Sequence, residues 1–132
     1  MEHSKSVLII DDEPAMTTYL STLLEDHGFV ARVANDPQEG MERLQEARPD
    51  VILLDLLMPQ KSGVLLFQRI ARDDRFRGIP IIILTGIREH FVEDFREFFT
   101  TLKLQRPFAY LEKPVDPLQL VRVVKDSLAT VH

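Results

Sequence analysis

Short, unbroken apolar runs recur along the chain and carry no polar alternation. Runs of this length that are rich in β-branched residues are typical of strands covered on both faces of a parallel sheet. Four strands are predicted from such runs, and a fifth, the second in chain order, is predicted where Arg32 interrupts the apolar residues. They cover residues 7–10, 30–34, 51–54, 81–84 and 108–111.

The segments between these runs place apolar residues at helical spacing. Three of the segments begin at a proline, which the first turn of a helix tolerates because an N–H there has no intrahelical partner. Two of these prolines follow an aspartate that can cap the helix, and a glycine ends the first helix. The predicted helices cover residues 14–27, 63–72 and 88–102, and two more begin at Pro37 and Pro117.

Strands and helices thus alternate five times, without a linker, repeat or low-complexity stretch. Because crossovers between parallel strands are right-handed, this order predicts an α/β fold with an open, doubly wound parallel sheet. We expect a single domain over residues 1–132, with its core at about 5–129. Ligands of such sheets bind at the carboxyl ends of the strands.

The composition narrows the chemistry that this fold can carry. The 132 residues include no cysteine, which excludes disulfides and thiolate metal sites and favours a reducing, cytoplasmic location. The net charge of −5 argues against direct nucleic-acid binding, and no apolar run is long enough to cross a membrane. Any metal must therefore bind to oxygen or nitrogen ligands, and the four histidines show no metal-ligand spacing.

Polar residues follow closely after four of the predicted strands. Since the carboxyl ends of parallel strands meet at one sheet edge, we expect three carboxylates, a hydroxyl and an ammonium to converge there. Carboxylates this close repel one another, and a hard cation such as Mg²⁺, which prefers oxygen ligands, relieves that repulsion. The converging residues are Asp11, Asp12, Asp55, Thr85 and Lys113.

These residues and their neighbours resemble the signature of response-regulator receiver domains. The resemblance covers nearly the whole chain, and five elements occur in the right order, each at a strand end. It implies a flavodoxin-like (βα)5 fold with strand order 2-1-3-4-5 and a function in two-component signalling. The matching elements are Asp11-Asp12, Asp55-Leu56-Leu57-Met58-Pro59 with Gly63, Thr85, and Tyr110 before Lys113-Pro114.

The resemblance also implies roles for the acidic residues. Asp55 would accept a phosphoryl group from a sensor histidine kinase or a histidine phosphotransfer protein. Asp12 and Asp55 would bind Mg²⁺ directly, Asp11 would do so directly or through water, and the backbone carbonyl of Leu57 would be a further ligand. Such a protein catalyses its own phosphorylation and dephosphorylation and is not otherwise an enzyme.

Three further residues would bind the phosphate or respond to it. Lys113 would pair with one phosphoryl oxygen, the Thr85 hydroxyl would bond another, and Tyr110 would be the rotameric switch. The face formed by the fourth helix, the last strand and the last helix would then signal to an output domain or a downstream protein. Taken singly, each of these residues is more often a packing or surface residue, so the roles depend on the resemblance.

The chain departs from the family pattern between Thr85 and Lys113. Gly86 stands where the family often has alanine, and the segment that follows is longer than usual by more than a helical turn. This segment carries phenylalanines at helical spacing, which either pack inward or alter the face through which many receivers dimerise. Homodimerisation is therefore left open. The phenylalanines are Phe91, Phe95, Phe98 and Phe99.

Two apolar residues border the route by which water would reach an acyl phosphate. Leu57 lies two residues after Asp55, and Ile87 lies two residues after Thr85. Similar proteins often carry polar side chains at these positions. Bulky apolar groups there would screen water and lengthen the lifetime of the phosphorylated form, unless Ile87 simply packs on the fourth helix.

Three other functions share parts of this pattern. A receiver-like interaction module would no longer take phosphate, but such modules usually lose an acidic residue or the lysine, and this chain keeps both. A phosphatase of the haloacid dehalogenase type would need a second aspartate at the position of Leu57. A dinucleotide or flavin binder would need a glycine-rich loop after the first strand.

Overall fold

The computed structural model describes residues 4–56, 58–59, 62–86 and 106–129, and within them the chain forms five strands and four helices. The helix predicted at 88–102 lies outside these residues, with its phenylalanines, and so do Leu57 and Ile87. The strands are β1 (Ser6–Ile10), β2 (Val30–Ala34), β3 (Val51–Asp55), β4 (Ile81–Thr85) and β5 (Ala109–Glu112). The helices are α1 (Pro14–Asp26), α2 (Pro37–Glu46), α3 (Ser62–Arg72) and α4 (Pro117–Ala129), with a 3₁₀ turn at Asp74–Phe76.

The five strands form one parallel sheet in the order β2-β1-β3-β4-β5. β3 pairs with both β1 and β4, so that Leu54 lies beside Ile10 on one side and Ile83 on the other. The predicted fold class and strand order are therefore confirmed. The order reverses direction between β1 and β3, and the carboxyl ends of these two strands are the place where doubly wound sheets bind ligands.

The three inner strands, β1, β3 and β4, are almost entirely apolar because helices cover both faces of the sheet. Successive residues of a strand point to opposite faces. Leu8 and Ile52 join the core beneath α2 and α3, whereas Ile9 and Leu53 pack with α1 and α4. All five residues of β3 are buried, which explains the continuous apolar run at residues 51–54. The fifth buried residue is Asp55, at the carboxyl end of the strand.

Capping residues set the helix boundaries that the sequence predicted. Asp36 accepts a hydrogen bond from the N–H of Glu39 at 2.8 Å, and Asp116 accepts one from the N–H of Leu118 at 3.0 Å. At the end of α1, Gly28 has a φ of +89°, a conformation that strains residues with a side chain. None of the described helices is both long enough and apolar enough to span a membrane.

Candidate functional site

The acidic residues meet at the carboxyl ends of β1 and β3. Asp11 follows β1, where its N–H still donates to the carbonyl of Ala34 at 3.1 Å, and Asp55 is the last residue of β3. One carboxylate oxygen from each of Asp11, Asp12 and Asp55 lies within 4.8 Å of the others. Asp11 and Asp55 are buried, with 0% and 2% exposure, whereas Asp12 is more accessible.

This set of donors fits a hard divalent cation. Three carboxylates supply only oxygen ligands, and the more accessible Asp12 leaves one side of the cluster open to water or to phosphate oxygens. Mg²⁺ favours this arrangement because it binds through one or a few carboxylates and keeps several waters. The structure thus brings together the three acidic residues that the sequence placed at two different strand ends.

Lys113 reaches into the same cluster from the end of β5. Its Nζ lies 2.7 Å from Oδ2 of Asp11, 3.5 Å from Oδ2 of Asp55 and 3.6 Å from Oε1 of Glu13. The Lys113 N–H donates to the carbonyl of Thr85 at 2.7 Å, which ties the end of β5 to the end of β4. The ammonium is therefore paired with a buried carboxylate.

The environment of Lys113 keeps its side chain charged. Burial is the largest single influence and lowers the pKa of Lys113, but it is outweighed by the hydrogen bond to Asp11 and the charges of Asp55, Asp11 and Glu13. The pKa of Lys113 is therefore raised. Its contribution to stability is fully present below the ordinary value of 10.5 and is lost only as the pH rises through the higher pKa of the folded protein.

Thr85 and Tyr110, two further predicted site residues, lie on neighbouring strands. Thr85 is the last residue of β4, is buried, and stands opposite Glu112 in the β4–β5 register. β5 was predicted at 108–111 and lies one residue later in the structure. The partly buried ring of Tyr110 packs against the core beneath α2 and α3.

An open cavity of about 230 Å³ borders the acidic cluster. Its walls include Gly86, the small residue that follows Thr85, and Glu13, which is not among the predicted site residues. In the sequence, Glu13 lies between the acidic pair and Pro14, a position typical of a residue that simply precedes a helix. The cavity thus opens onto both the acidic cluster and the Lys113 ammonium. Its lining residues are Asp12, Glu13, Asp55, Gly86 and Lys113.

Gly63, in the first turn of α3, packs directly on the backbone at the end of β3. A Cβ added to Gly63 would clash with the carbonyl oxygen of Asp55 and would lie 2.7 Å from the Cα of Leu56. Side chains do not approach backbone atoms this closely, so the absence of a Cβ lets α3 sit against the residue that carries the central carboxylate.

Gly63→Ala should lower the free energy of unfolding by about 2–3 kcal/mol, because the added methyl group can be accommodated only by moving backbone. Gly40→Ala is the matched control. Its Cβ would meet flexible side-chain ends, at 3.1 Å from Cδ1 of Ile10 and 3.4 Å from Cδ2 of Leu66, and alanine improves helix propensity. Urea unfolding of both variants checks this. Equal losses would contradict the close-approach explanation for Gly63.

Comparison with known proteins agrees with this geometry. The family described as "Response regulator receiver domain" matches residues 7–125. The chain belongs to this receiver family. The resemblance found in the sequence is thereby confirmed, and the receiver fold places the acidic cluster in the setting of two-component signalling.

Individual relatives cover this receiver domain almost completely. Protein PilH of Pseudomonas aeruginosa is 31% identical over 123 residues, which make up 93% of this chain and 97% of PilH. Response regulator Rre1 of Synechocystis is 31% identical over 127 residues, which make up 94% of this chain and 52% of Rre1. The chain therefore spans about half the length of Rre1, and likewise 48% of the Synechocystis transcriptional regulator RpaA.

Solved structures show the same fold. The chemotaxis protein CheY4 of Vibrio cholerae superposes with a TM-score of 0.83 at 25% sequence identity, over 96% of this chain and 100% of that chain. A putative response regulator from Chloroflexus aurantiacus superposes with the same TM-score at 26% identity, over 96% of this chain and 99% of that chain.

Proposed function

We propose that this receiver domain accepts a phosphoryl group on Asp55 in a Mg²⁺-dependent step, from a sensor histidine kinase or a histidine phosphotransfer protein. The observation that carries the proposal is the position of Asp55. Its carboxylate borders the cavity, lies within 4.8 Å of the Asp11 and Asp12 carboxylates, and lies 3.5 Å from the Lys113 ammonium. A carboxylate oxygen of Asp55 thus lies close to two other carboxylates and to a positive charge, which is the arrangement that this transfer would require.

Phosphoryl transfer asks the protein mainly for positioning and for positive charge around the phosphoryl oxygens. A carboxylate oxygen of Asp55 forms the new bond to phosphorus while the bond to the donor's leaving group breaks. Mg²⁺ held by Asp11, Asp12 and Asp55 would supply positive charge to the phosphoryl oxygens. The Lys113 ammonium, which is hydrogen-bonded to Asp11 and lies 3.5 Å from Asp55, supplies a second positive charge and would bind a phosphoryl oxygen.

The phosphorylated state is read out through the end of the sheet that carries Lys113. We propose that the Thr85 hydroxyl bonds another phosphoryl oxygen and that Tyr110 changes rotamer in response. β5 and α4, with the helix predicted at 88–102, would pass this change to an output domain or a downstream protein in the cytoplasm. The proposed carbonyl ligand Leu57 and the water-screening residue Ile87 lie outside the described residues.

Millimolar Mg²⁺ should raise the melting temperature of the wild-type chain, because a ligand that binds the folded state shifts the folding equilibrium toward it. Asp12→Ala should reduce that rise and slow phosphorylation, since it removes the most accessible carboxylate of the cluster. Thermal melts with and without Mg²⁺ measure the first effect, and intact mass after incubation with a small phosphodonor measures the second. Asp36→Asn, which keeps a good capping side chain on α2, is the control.

The same two measurements can also contradict the proposed metal site. An unchanged melting temperature in Mg²⁺, together with full phosphorylation in excess chelator, would contradict a metal site at Asp11, Asp12 and Asp55.

A further inference from the structure

Glu13 occupies the N-cap position of α1 but does not use its side chain to cap the helix. Its φ and ψ are −98° and 109°, and the side chain accepts no capping hydrogen bond. The carboxylate instead lies 3.6 Å from the Nζ of Lys113 and forms part of the cavity wall. The Glu13 N–H donates to Oδ1 of Asp11 at 3.0 Å, which turns this residue back toward the acidic cluster.

The three acidic neighbours of Lys113 differ in how firmly they are held. Asp11 is fully buried and forms the short 2.7 Å contact, and Asp55 is buried at 3.5 Å. The Glu13 side chain is 65% exposed and stands beyond hydrogen-bond distance, so it acts on the ammonium through charge alone. An exposed pair of this kind is weak, and Glu13 can be displaced at little cost.

We propose that Glu13 is a specificity-determining residue that selects among phosphodonors by their charge. This inference rests on the proposed function. A donor that enters the cavity must bring its phosphoryl oxygens to the Lys113 ammonium, which Glu13 also attracts. The donor must also pass the negative charge of Glu13 itself, which lies in the cavity wall. The Glu13 carboxylate therefore opposes a dianionic donor more strongly than a monoanionic one.

The effect acts through Lys113 and through the field at the cavity entrance, so it should depend on salt. Charges at exposed positions are screened over about 10 Å at 0.1 M ionic strength. A purely structural role of Glu13 in starting α1 would not depend on the charge of the donor or on the salt concentration. These two dependences separate selection by charge from a structural contribution.

The test compares initial phosphorylation rates of the whole chain with acetyl phosphate, a dianion near neutral pH, and phosphoramidate, a monoanion. Glu13→Gln removes the charge and keeps the shape, whereas Glu13→Asp keeps the charge. Glu42→Gln is the matched control, since it removes one negative charge from an exposed position on α2. Intact mass is followed in saturating Mg²⁺ at low and high salt, and melting temperatures verify that each variant is folded.

Glu13→Gln should raise the rate with acetyl phosphate by about three- to fivefold at low salt, and the rate with phosphoramidate by less. Both increases should shrink at high salt, and the other two variants should behave like wild type. An unchanged rate in Glu13→Gln, an equal increase with both donors, or a slower rate, as expected if Glu13 served the metal, would overturn the inference alone. No uptake by wild type from either donor would overturn the proposed function as well.

Discussion

Asp55→Asn should take up no phosphoryl group from a donor that fully modifies the wild-type chain. Asparagine has nearly the same shape as aspartate, but its amide lacks the nucleophilic carboxylate oxygen that forms the bond to phosphorus. Asp55 is the carboxylate that combines a strand-end position, the Lys113 ammonium at 3.5 Å and access to the cavity. Intact mass after incubation with a small phosphodonor and Mg²⁺ measures the loss.

The control for Asp55→Asn is the same change at another carboxylate that leaves the site intact. In Asp36→Asn the asparagine side chain caps α2 as well as the aspartate does, and this variant should be phosphorylated like wild type. Asp12→Asn should be phosphorylated slowly but measurably, because Asp55 is still present. Uptake of a phosphoryl group by Asp55→Asn at the wild-type level would contradict the assignment of the acceptor.

Lys113→Ala should lower the free energy of unfolding by about 3 kcal/mol at neutral pH without Mg²⁺, because removing one partner of a buried ion pair leaves the other charge uncompensated. Asp11 is fully buried, and the Lys113 ammonium is the cation that lies 2.7 Å from its carboxylate. The open cavity admits water to Asp12 and Asp55, which places the expected loss at the lower end of the range for buried pairs. Urea unfolding measures it.

Two comparisons separate charge from packing in the Lys113 result. Lys125→Ala removes the same charge from an exposed position on α4 and should change the free energy of unfolding by no more than about 0.5 kcal/mol. Mg²⁺ should stabilise Lys113→Ala more than wild type, because the ion takes over part of the charge balance. A loss in Lys113→Ala no larger than in Lys125→Ala would mean that the ammonium does not stabilise the cluster.

The sheet and the position of the site could be predicted because strands that are buried on both faces consist of continuous apolar runs. β1, β3 and β4 each contain a run of four buried apolar residues, and parallel strands end at the same edge, so Asp11, Asp55 and Thr85 had to lie close together. The prolines of α1, α2 and α4 marked the helix starts for an equally local reason.

The remaining features depend on side-chain geometry that no sequence pattern expresses. The pairing of Lys113 with Asp11 requires a particular rotamer across strands that are far apart in the chain. The position of Glu13 just before a helix does not indicate that its side chain faces Lys113. The one-residue shift of β5 follows from its register with β4, in which Glu112 rather than Leu111 stands opposite Thr85. The close contact of Gly63 with Asp55 likewise appears only once α3 is placed on β3.

The measurement that tests the central claim most directly is chemical mapping of the phosphorylated residue in the wild-type chain. The chain is incubated with a small phosphodonor and Mg²⁺, treated with borohydride to reduce an aspartyl phosphate to the alcohol, and digested for peptide mass analysis. We predict a single modified residue, Asp55, and no modification in excess chelator. Absence of any adduct in Mg²⁺, or modification of a residue other than Asp55, would contradict the account.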